Sequence, residues 1–165
     1  MSLIREEVLQ FFKDDHGKLV KVIDQLDEDQ MVNHAVLGEW DVKDIIAHIS
    51  AWNWEIVKAV DVVLANGRPW YVGVPPGGGQ EAEFNRKEVK RRKSWSLRQV
   101  FKEWQDAYDA LIKRIECLSD SDWHHQSDIT WSDGSMVSIP SLFDYRYRSE
   151  GHEGGHARQI KAHFG

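Results

Sequence analysis

The sequence contains a single cysteine, Cys117, and no long apolar run. One cysteine cannot form an intramolecular disulfide, so nothing marks the chain as secreted. No segment approaches the roughly 18 apolar residues of a membrane span, and the N-terminal segment lacks the pattern of a cleavable signal. Positive charge is also scarce, since 21 Lys and Arg stand against 27 Asp and Glu. These absences predict a cytoplasmic protein whose main partner is neither a nucleic acid nor an anionic membrane.

The composition is otherwise that of an ordinary globular protein, with 41% hydrophobic and 29% charged residues. A chain of 165 residues is most often one domain, so we expect residues 1–165 to fold as a single unit. Its unusual feature is a surplus of histidine and tryptophan, with eight of each. These residue types serve either the chemistry of a site or the packing of a core.

Apolar residues recur at three- and four-residue steps over most of the chain, which is the spacing of amphipathic helices. Asp41 is placed to cap one helix, and Ser96 with Gln99 matches a capping box that restarts another. The pattern predicts four long helical regions, of which the first two span 3–26 and 42–65. The third begins near 81, restarts at Ser96 and ends near 118. The last begins at Pro140 and runs to about His163. Gly17 lies inside the first helix, where a glycine indicates a kink or a close contact.

Two segments interrupt the helical pattern. Residues 66–80 hold three of the four prolines and five of the twelve glycines, which predicts a long loop, and Gly67 can take the left-handed conformation that ends a helix. Residues 129–139 alternate apolar and polar side chains around Asp133-Gly134, which predicts a small β-hairpin before the last helix. We therefore predict an all-α fold, a four-helix bundle with a long Pro/Gly loop between the second and third helices.

His152 and His156 stand four residues apart in the last predicted helix, so both imidazoles project from one face. This is the spacing with which a helix presents two nitrogen ligands to one metal ion. Gly151, Gly154 and Gly155 surround the pair, although each glycine costs a helix about 1 kcal/mol relative to alanine. Such glycines indicate either the close approach of another helix or open space beside a metal.

The same segment, His-Glu-Gly-Gly-His, also matches the zinc metalloprotease motif. A protease of that class needs a third ligand downstream, and only nine residues follow His156. His163 is the sole imidazole among them, and no downstream Glu is present. The sequence therefore argues against a metalloprotease.

Two segments of the chain resemble the DinB/YfiT-like superfamily of four-helix bundles. GEWDVKDIIAHISAWN at 38–53 is similar to its Gly-Trp-Ser-Val-Lys-Asp-Leu-Leu-Ala-His-Leu segment, and EGHEGGHARQI at 150–160 resembles its closing His-x-x-x-His-x-x-Gln-Ile helix. Phe84-Asn85 after the long loop and the stretch at 108–123 also fit. The resemblance covers essentially the whole chain, with the two motifs at their expected ends of it.

The resemblance implies a divalent metal held by His48, His152 and His156, because members bind through one histidine of the second helix and two of the last. Taken alone, His48 on its apolar helix face is typical of a core histidine, and only the packing of the bundle can bring it to His152. Three nitrogen ligands leave coordination positions open, as in catalytic sites. Imidazole suits Zn²⁺ or Ni²⁺, so we expect one of these two ions.

The same family implies an enzyme that acts on a small molecule. Two chemistries are expected: hydrolysis of a reactive or toxic compound, and transfer or isomerisation that uses a low-molecular-weight thiol. The hydrolytic branch includes proteins that resemble the colibactin self-resistance cyclopropane hydrolases. Water or a thiolate on the metal would be the nucleophile. The association of the family with DNA damage concerns induction under stress and not DNA binding.

Several side chains are candidates for the surroundings of the site. Trp52 lies one helical turn after His48, and Trp52 and Asn85 are candidate pocket residues. Trp70 and Tyr71 lie in the Pro/Gly loop, where they line a pocket entrance or anchor the loop. Asp44 lies one turn before His48, where it orients an imidazole or caps the helix.

Other residues are left without a predicted catalytic role. Glu153 points about 100° away from His152 around the helix, which weakens any role as a general base. Glu55 lies two turns beyond His48 without an assigned role. Cys117 is expected to be buried and inert. The remaining histidines are expected at the surface or in loops: His16, His34, His124, His125 and His163.

Two alternatives to an enzyme remain open. The first is a non-catalytic stress or resistance protein whose bundle binds a small molecule or a metal. The second is a dimeric structural domain, because several long exposed helix faces could pair and form a homodimer. A cleft beside an exchangeable metal position favours the enzyme, whereas an apolar pocket without one favours the binding protein.

Overall fold

Helices account for most of the chain in the computed structural model, which describes residues 4–144 and 150–165. Within those ranges the elements in chain order are α1 (Arg5–Ile23), α2 (Glu28–Val32), α3 (Val42–Leu64), α4 (Gly79–Arg91), α5 (Leu97–Glu116), α6 (Asp120–Trp123), β1 (Gln126–Thr130), β2 (Met136–Ser138), α7 (Ile139–Asp144) and α8 (His152–Phe164). The predicted helical architecture is confirmed. None of the described helices has the length and apolar character that crossing a membrane requires.

The helix starts follow the local sequence. The Asp41 side chain accepts from the Asp44 backbone N–H at 2.8 Å, and Asp44 reaches back to the Asp41 N–H, which closes a capping box at the start of α3. Ser96 and Gln99 form the same reciprocal pair at the start of α5. Both caps were predicted from the sequence, because a cap depends on residues only three positions apart.

The central element is α3, which is buried along most of its length. It packs most extensively on α5 and also contacts α4, α7, α2 and α8. Ile45, Ile46 and Ile49 join an apolar cluster with α1 and α8, whereas Trp52 and Ile56 join a second cluster with α5 and the hairpin. A helix that is apolar on nearly all sides must lie inside the bundle.

The last predicted helix is interrupted. Pro140 lies in the first turn of α7, as predicted, but α7 ends at Asp144 and α8 begins only at His152. Gly151 has an extended backbone (φ −66°, ψ 163°) and is the N-cap of α8. The expectation of one helix from Pro140 to His163 is therefore wrong, and residues 145–149 of that span lie outside the described part of the chain.

The two non-helical segments lie close to their predicted positions. The long loop leaves α3 at Leu64 and ends where α4 begins at Gly79, two residues before the expected start. Asn66, with φ 58°, and not Gly67, takes the left-handed conformation after α3. The two short antiparallel strands pair around a turn in which Gly134 has φ 83°.

A buried arginine joins α4 to α5. Arg92 follows α4 and is only 3% exposed. Its guanidinium donates to Glu103 of α5 at 2.8 Å and to Glu88 of α4 at 2.6 Å. These bonds compensate the cost of burying the charge, and they fix the helix that carries Asn85.

Cys117 contradicts the prediction of a buried thiol. It is the residue at the C-terminal end of α5 and is exposed, whereas Leu118 beside it is buried. The apolar stripe of α5 ends at Ile115, so the burial expected from helical periodicity does not extend to Cys117.

Replacement of Gly17 by alanine tests whether the glycine inside α1 is needed for a close contact. A Cβ at this position would meet no atom within 4 Å, so the close contact considered for it is not present among the described residues. We expect Gly17→Ala to raise the free energy of unfolding by about 0.5–1 kcal/mol, because alanine loses less backbone entropy in a helix. Urea unfolding of both proteins measures the difference, and a loss of stability would contradict this account.

Candidate metal centre

The three predicted ligands come together between α3 and α8. His48 lies in the middle of α3, His152 is the first residue of α8, and His156 follows one turn later. One ring nitrogen from each of the three lies within 4.8 Å of the others. The Nε2 atoms of His48 and His152 are 2.9 Å apart, and the ring of His156 stands perpendicular to that of His48. Packing thus joins residues that are 104 positions apart in the chain.

The environment of His156 favours the form that binds metals. Its Nδ1 lies 2.8 Å from Oε1 of Gln159, and the tautomer that donates from Nδ1 to this oxygen leaves the lone pair of Nε2 available. Burial lowers the pKa of His156, because desolvation disfavours the imidazolium. A neutral imidazole with one nitrogen held by a hydrogen bond is the usual state of a histidine ligand.

The histidines line a cavity of about 560 Å³. The other residues around it come from α8, from the segment before it and from the α3–α4 side: Trp52, Pro76, Glu81, Asn85, Glu150, Gly151, Gly155, Arg158 and Gln159. Cavities of this size accommodate small molecules.

One wall of the cavity carries an exposed ion pair. Arg158 donates to Glu150 through Nε at 2.8 Å and through Nη2 at 3.2 Å. The hydrogen bond from Arg158 lowers the pKa of Glu150, which keeps this carboxylate ionised. The wall therefore combines a cation, an anion and the amide of Gln159.

Two predicted pocket residues lie at the cavity and are joined to each other. The indole Nε1 of Trp52 donates to Oδ1 of Asn85 at 2.7 Å, which links α3 to α4. Trp52 is almost fully buried, so it serves the core and the cavity wall together. The bond fixes the orientation of the Asn85 amide beside the histidines.

The two aromatic residues of the loop have different positions. Trp70 is 40% exposed, stacks on Trp52 and donates to Glu55 at 3.0 Å, so it anchors the loop to α3. It lines a smaller neighbouring groove of about 250 Å³ with Phe84. Tyr71 is buried in the core against Trp131 and does not line the described cavity. Of the two roles that the sequence allowed for Tyr71, these contacts favour that of a loop anchor.

Asp44 takes the capping role of the two that the sequence allowed. Its carboxylate closes the capping box of α3 and accepts from Lys93 at 2.6 Å. The hydrogen bond to Asp44 raises the pKa of Lys93. The contacts described for Asp44 thus serve the start of α3.

The glycines around the histidine pair are explained by Asp15 of α1. Oδ2 and Oδ1 of Asp15 accept from the backbone N–H groups of Glu153 and Gly154, each at 3.0 Å. A Cβ on Gly151 or on Gly154 would overlap this carboxylate. Gly155 differs, because a Cβ there would meet only the Glu150 side chain, at 3.6 Å. Close approach of another helix therefore accounts for two of the three glycines.

A buried pair beside the site was not foreseen. Nδ1 of His16 lies 2.8 Å from Oε2 of Glu153, and Trp104 of α5 donates to Oε1 of Glu153 at 3.0 Å. The ring of His16 also stacks on Tyr108 at 3.7 Å. The expectation of a surface His16 is therefore wrong. Its position four residues after Phe12, on the apolar face of α1, is the signal that could have indicated burial.

Solved structures with the same fold are found, all at low sequence identity. A mycothiol-dependent maleylpyruvate isomerase matches with a TM-score of 0.68 at 15% identity, over 98% of this chain and 59% of its own. A protein from Streptococcus pneumoniae matches with a TM-score of 0.73 at 13% identity, over 99% and 92%. An uncharacterised protein from Escherichia coli UTI89 matches with a TM-score of 0.68 at 16% identity, over 96% and 91%.

The chain thus spans about three fifths of the isomerase and nearly all of the two other proteins. A comparison with curated protein sequences found no match. The family model of the DinB superfamily matches residues 11–160, which include all three clustered histidines. The chain belongs to the DinB superfamily.

Proposed function

We propose that this protein is a metal-dependent enzyme that acts on a small molecule, with a divalent ion held by His48, His152 and His156. The observation that carries the proposal is the meeting of three imidazoles within 4.8 Å at the wall of a 560 Å³ cavity. Three protein ligands would leave at least one coordination position open for water or substrate, as in catalytic metal sites.

The donor set fits Zn²⁺ or Ni²⁺. Both ions accept imidazole nitrogen, and the neutral state that burial favours for His156 is the one that coordinates. His48 and His152 direct their Nε2 atoms toward each other at 2.9 Å, a separation at which only one of the two can carry a proton. A bound metal ion would instead accept the lone pairs of both nitrogens.

When bound, such an ion would act as a Lewis acid and lower the pKa of a water or thiol in the cavity. The surrounding residues have the complementary roles. The Asn85 amide, held by Trp52, and the side chains of Arg158 and Gln159 offer hydrogen bonds that orient a polar substrate. The carboxylate of Glu81, at the same cavity, can accept the proton that the nucleophile loses.

Two reaction classes agree with this arrangement. A thiol-dependent transfer or isomerisation is supported by the fold, since one structural neighbour is a mycothiol-dependent isomerase. Hydrolysis is supported by the polar side chains of the cavity wall, which can form hydrogen bonds with water. Metal-loaded protein is to be incubated with electrophilic small molecules, with and without low-molecular-weight thiols. Thiol-dependent product identifies the first class and thiol-independent consumption the second. Ligand binding without turnover would identify a non-catalytic binding protein instead.

Replacement of each histidine tests the metal site. We expect the wild-type protein to bind about one Zn²⁺ or Ni²⁺ per chain, and His48→Ala, His152→Ala and His156→Ala each to lower the affinity by more than about 100-fold, because removal of a ligand exceeds the effect of an outer partner. Competition with a chromophoric chelator measures the affinity. His163→Ala is the matched control, since it alters an exposed histidine of the same helix. Equal affinity in all four variants would refute the site.

The affinity should also depend on pH in one direction. Protons compete with the ion for imidazole nitrogen, so the affinity is constant above about pH 7 and falls below the ordinary histidine pKa of about 6.5. Burial lowers the pKa of His156, so this ligand stays neutral after an ordinary histidine has begun to take up protons. The same chelator competition between about pH 5.5 and 8 checks the direction. Affinity that rises on acidification would contradict imidazole ligation.

Assembly and location remain predictions. The long exposed helix faces allow a homodimer, which size-exclusion chromatography tests directly. The cytoplasmic location and the role in a stress response rest on the sequence alone, and fluorescence microscopy of a tagged chain and transcript measurement after DNA damage test them.

A further inference from the structure

The helix that presents two of the three histidines has no cap of its own. Gly151 occupies the N-cap position of α8 and has no side chain to accept from the first N–H groups. Asp15 of α1 supplies the missing acceptor, with one carboxylate oxygen on the N–H of Glu153 and the other on the N–H of Gly154. The cap of α8 is therefore a tertiary contact from a residue 138 positions away.

The first turn of α8 is also held through Glu153. Its side chain is bonded to His16 of α1 and Trp104 of α5, and all three are buried. Together with the Asp15 carboxylate, these contacts attach one turn of α8 to two other helices. His152, the first residue of α8, immediately precedes this attached segment.

The attachment matters because α8 packs more extensively on α1 than on α3. His152 and His156 must meet His48 of α3, yet the helix that carries them is positioned mainly by α1. The registry between α1 and α8 therefore sets the separation of the histidines. A shift of one ångström at the start of α8 would alter the distance from the His152 nitrogen to that of His48.

We propose that Asp15 and Glu153 are positioning residues of the metal centre, which place α8 so that its two histidines face His48. This inference rests on the proposed metal site. Neither residue is a metal ligand in this proposal, because their carboxylate oxygens already form hydrogen bonds with the α8 backbone, His16 and Trp104.

The test is the Zn²⁺ affinity of Asp15→Asn. The asparagine keeps the size of the side chain but presents an NH₂ group to one of the two backbone donors. We expect the affinity for Zn²⁺ to fall by about tenfold or more, in the range typical of residues that support metal ligands. The absorption spectrum of the Co²⁺-substituted protein should change as well, because the ligand geometry changes.

A control and a second variant separate positioning from stability. Asp14→Asn makes the same charge change on the neighbouring exposed residue and should leave Zn²⁺ affinity and the Co²⁺ spectrum as in the wild type. Glu153→Gln keeps the side-chain shape and the acceptor for Trp104, so it carries the test if Asp15→Asn fails to fold. We expect it to weaken Zn²⁺ binding in the same direction.

The outcomes are distinguishable. Weaker Zn²⁺ binding by the folded Asp15 or Glu153 variant, with the Asp14 variant unchanged, supports the proposal. A folded variant with a lower melting temperature but wild-type Zn²⁺ affinity and Co²⁺ spectrum overturns it, because the residues would then serve stability alone. That result would not contradict the proposed metal site. Wild-type protein that binds no Zn²⁺, Ni²⁺ or Co²⁺ refutes the proposed function itself, and this inference with it.

Discussion

The arrangement of the site depends on one interaction, the contact of the Asp15 carboxylate with the start of α8. A helix start leaves backbone donors without partners, and burying them unpaired would cost about 1–3 kcal/mol each. Burial raises the pKa of Asp15, and the hydrogen bonds from the α8 backbone act in the opposite direction. The contact leaves no room for a side chain at Gly151 or at Gly154, which explains why glycines occupy these two positions at the start of α8.

The core of the bundle is joined to the cavity through α3. The helix α3 is held on one side by the apolar cluster that it shares with α1 and α8, and on the other by the cluster that includes α5 and the hairpin. His48 and Trp52 lie one turn apart on α3, so the histidine cluster and the indole that orients Asn85 are attached to one rigid element. The long loop is tied to that element through Trp70 and Glu55. A buried central helix thus supplies the fixed reference for a site whose other half is carried by α8.

Much of this could be predicted from the sequence, and the failures have a common cause. Periodicity and capping boxes located α1, α3 and α5 to within a few residues, because both depend on neighbours in the chain. The break before His152 was missed, since the group that caps α8 belongs to α1. His16 was assigned to the surface, and the choice for Tyr71 between a pocket entrance and a loop anchor stayed open, because neither burial nor stacking partners can be read from local spacing. Cys117 was wrongly expected to be buried because the apolar stripe of α5 was extended past Ile115, where it ends.

The sequence by itself determined the parts of the site that lie within one helix. The four-residue spacing of His152 and His156 places both imidazoles on one face, because a helix turns once in about 3.6 residues. It also determined the caps of α3 and α5. Only the tertiary structure decided that His48 lies beside this pair, that Asp15 caps α8, which carries the pair, and that the cavity opens beside Asn85. These relations join residues more than 30 positions apart, and their distances follow from the packing of helices and not from the geometry of any one of them.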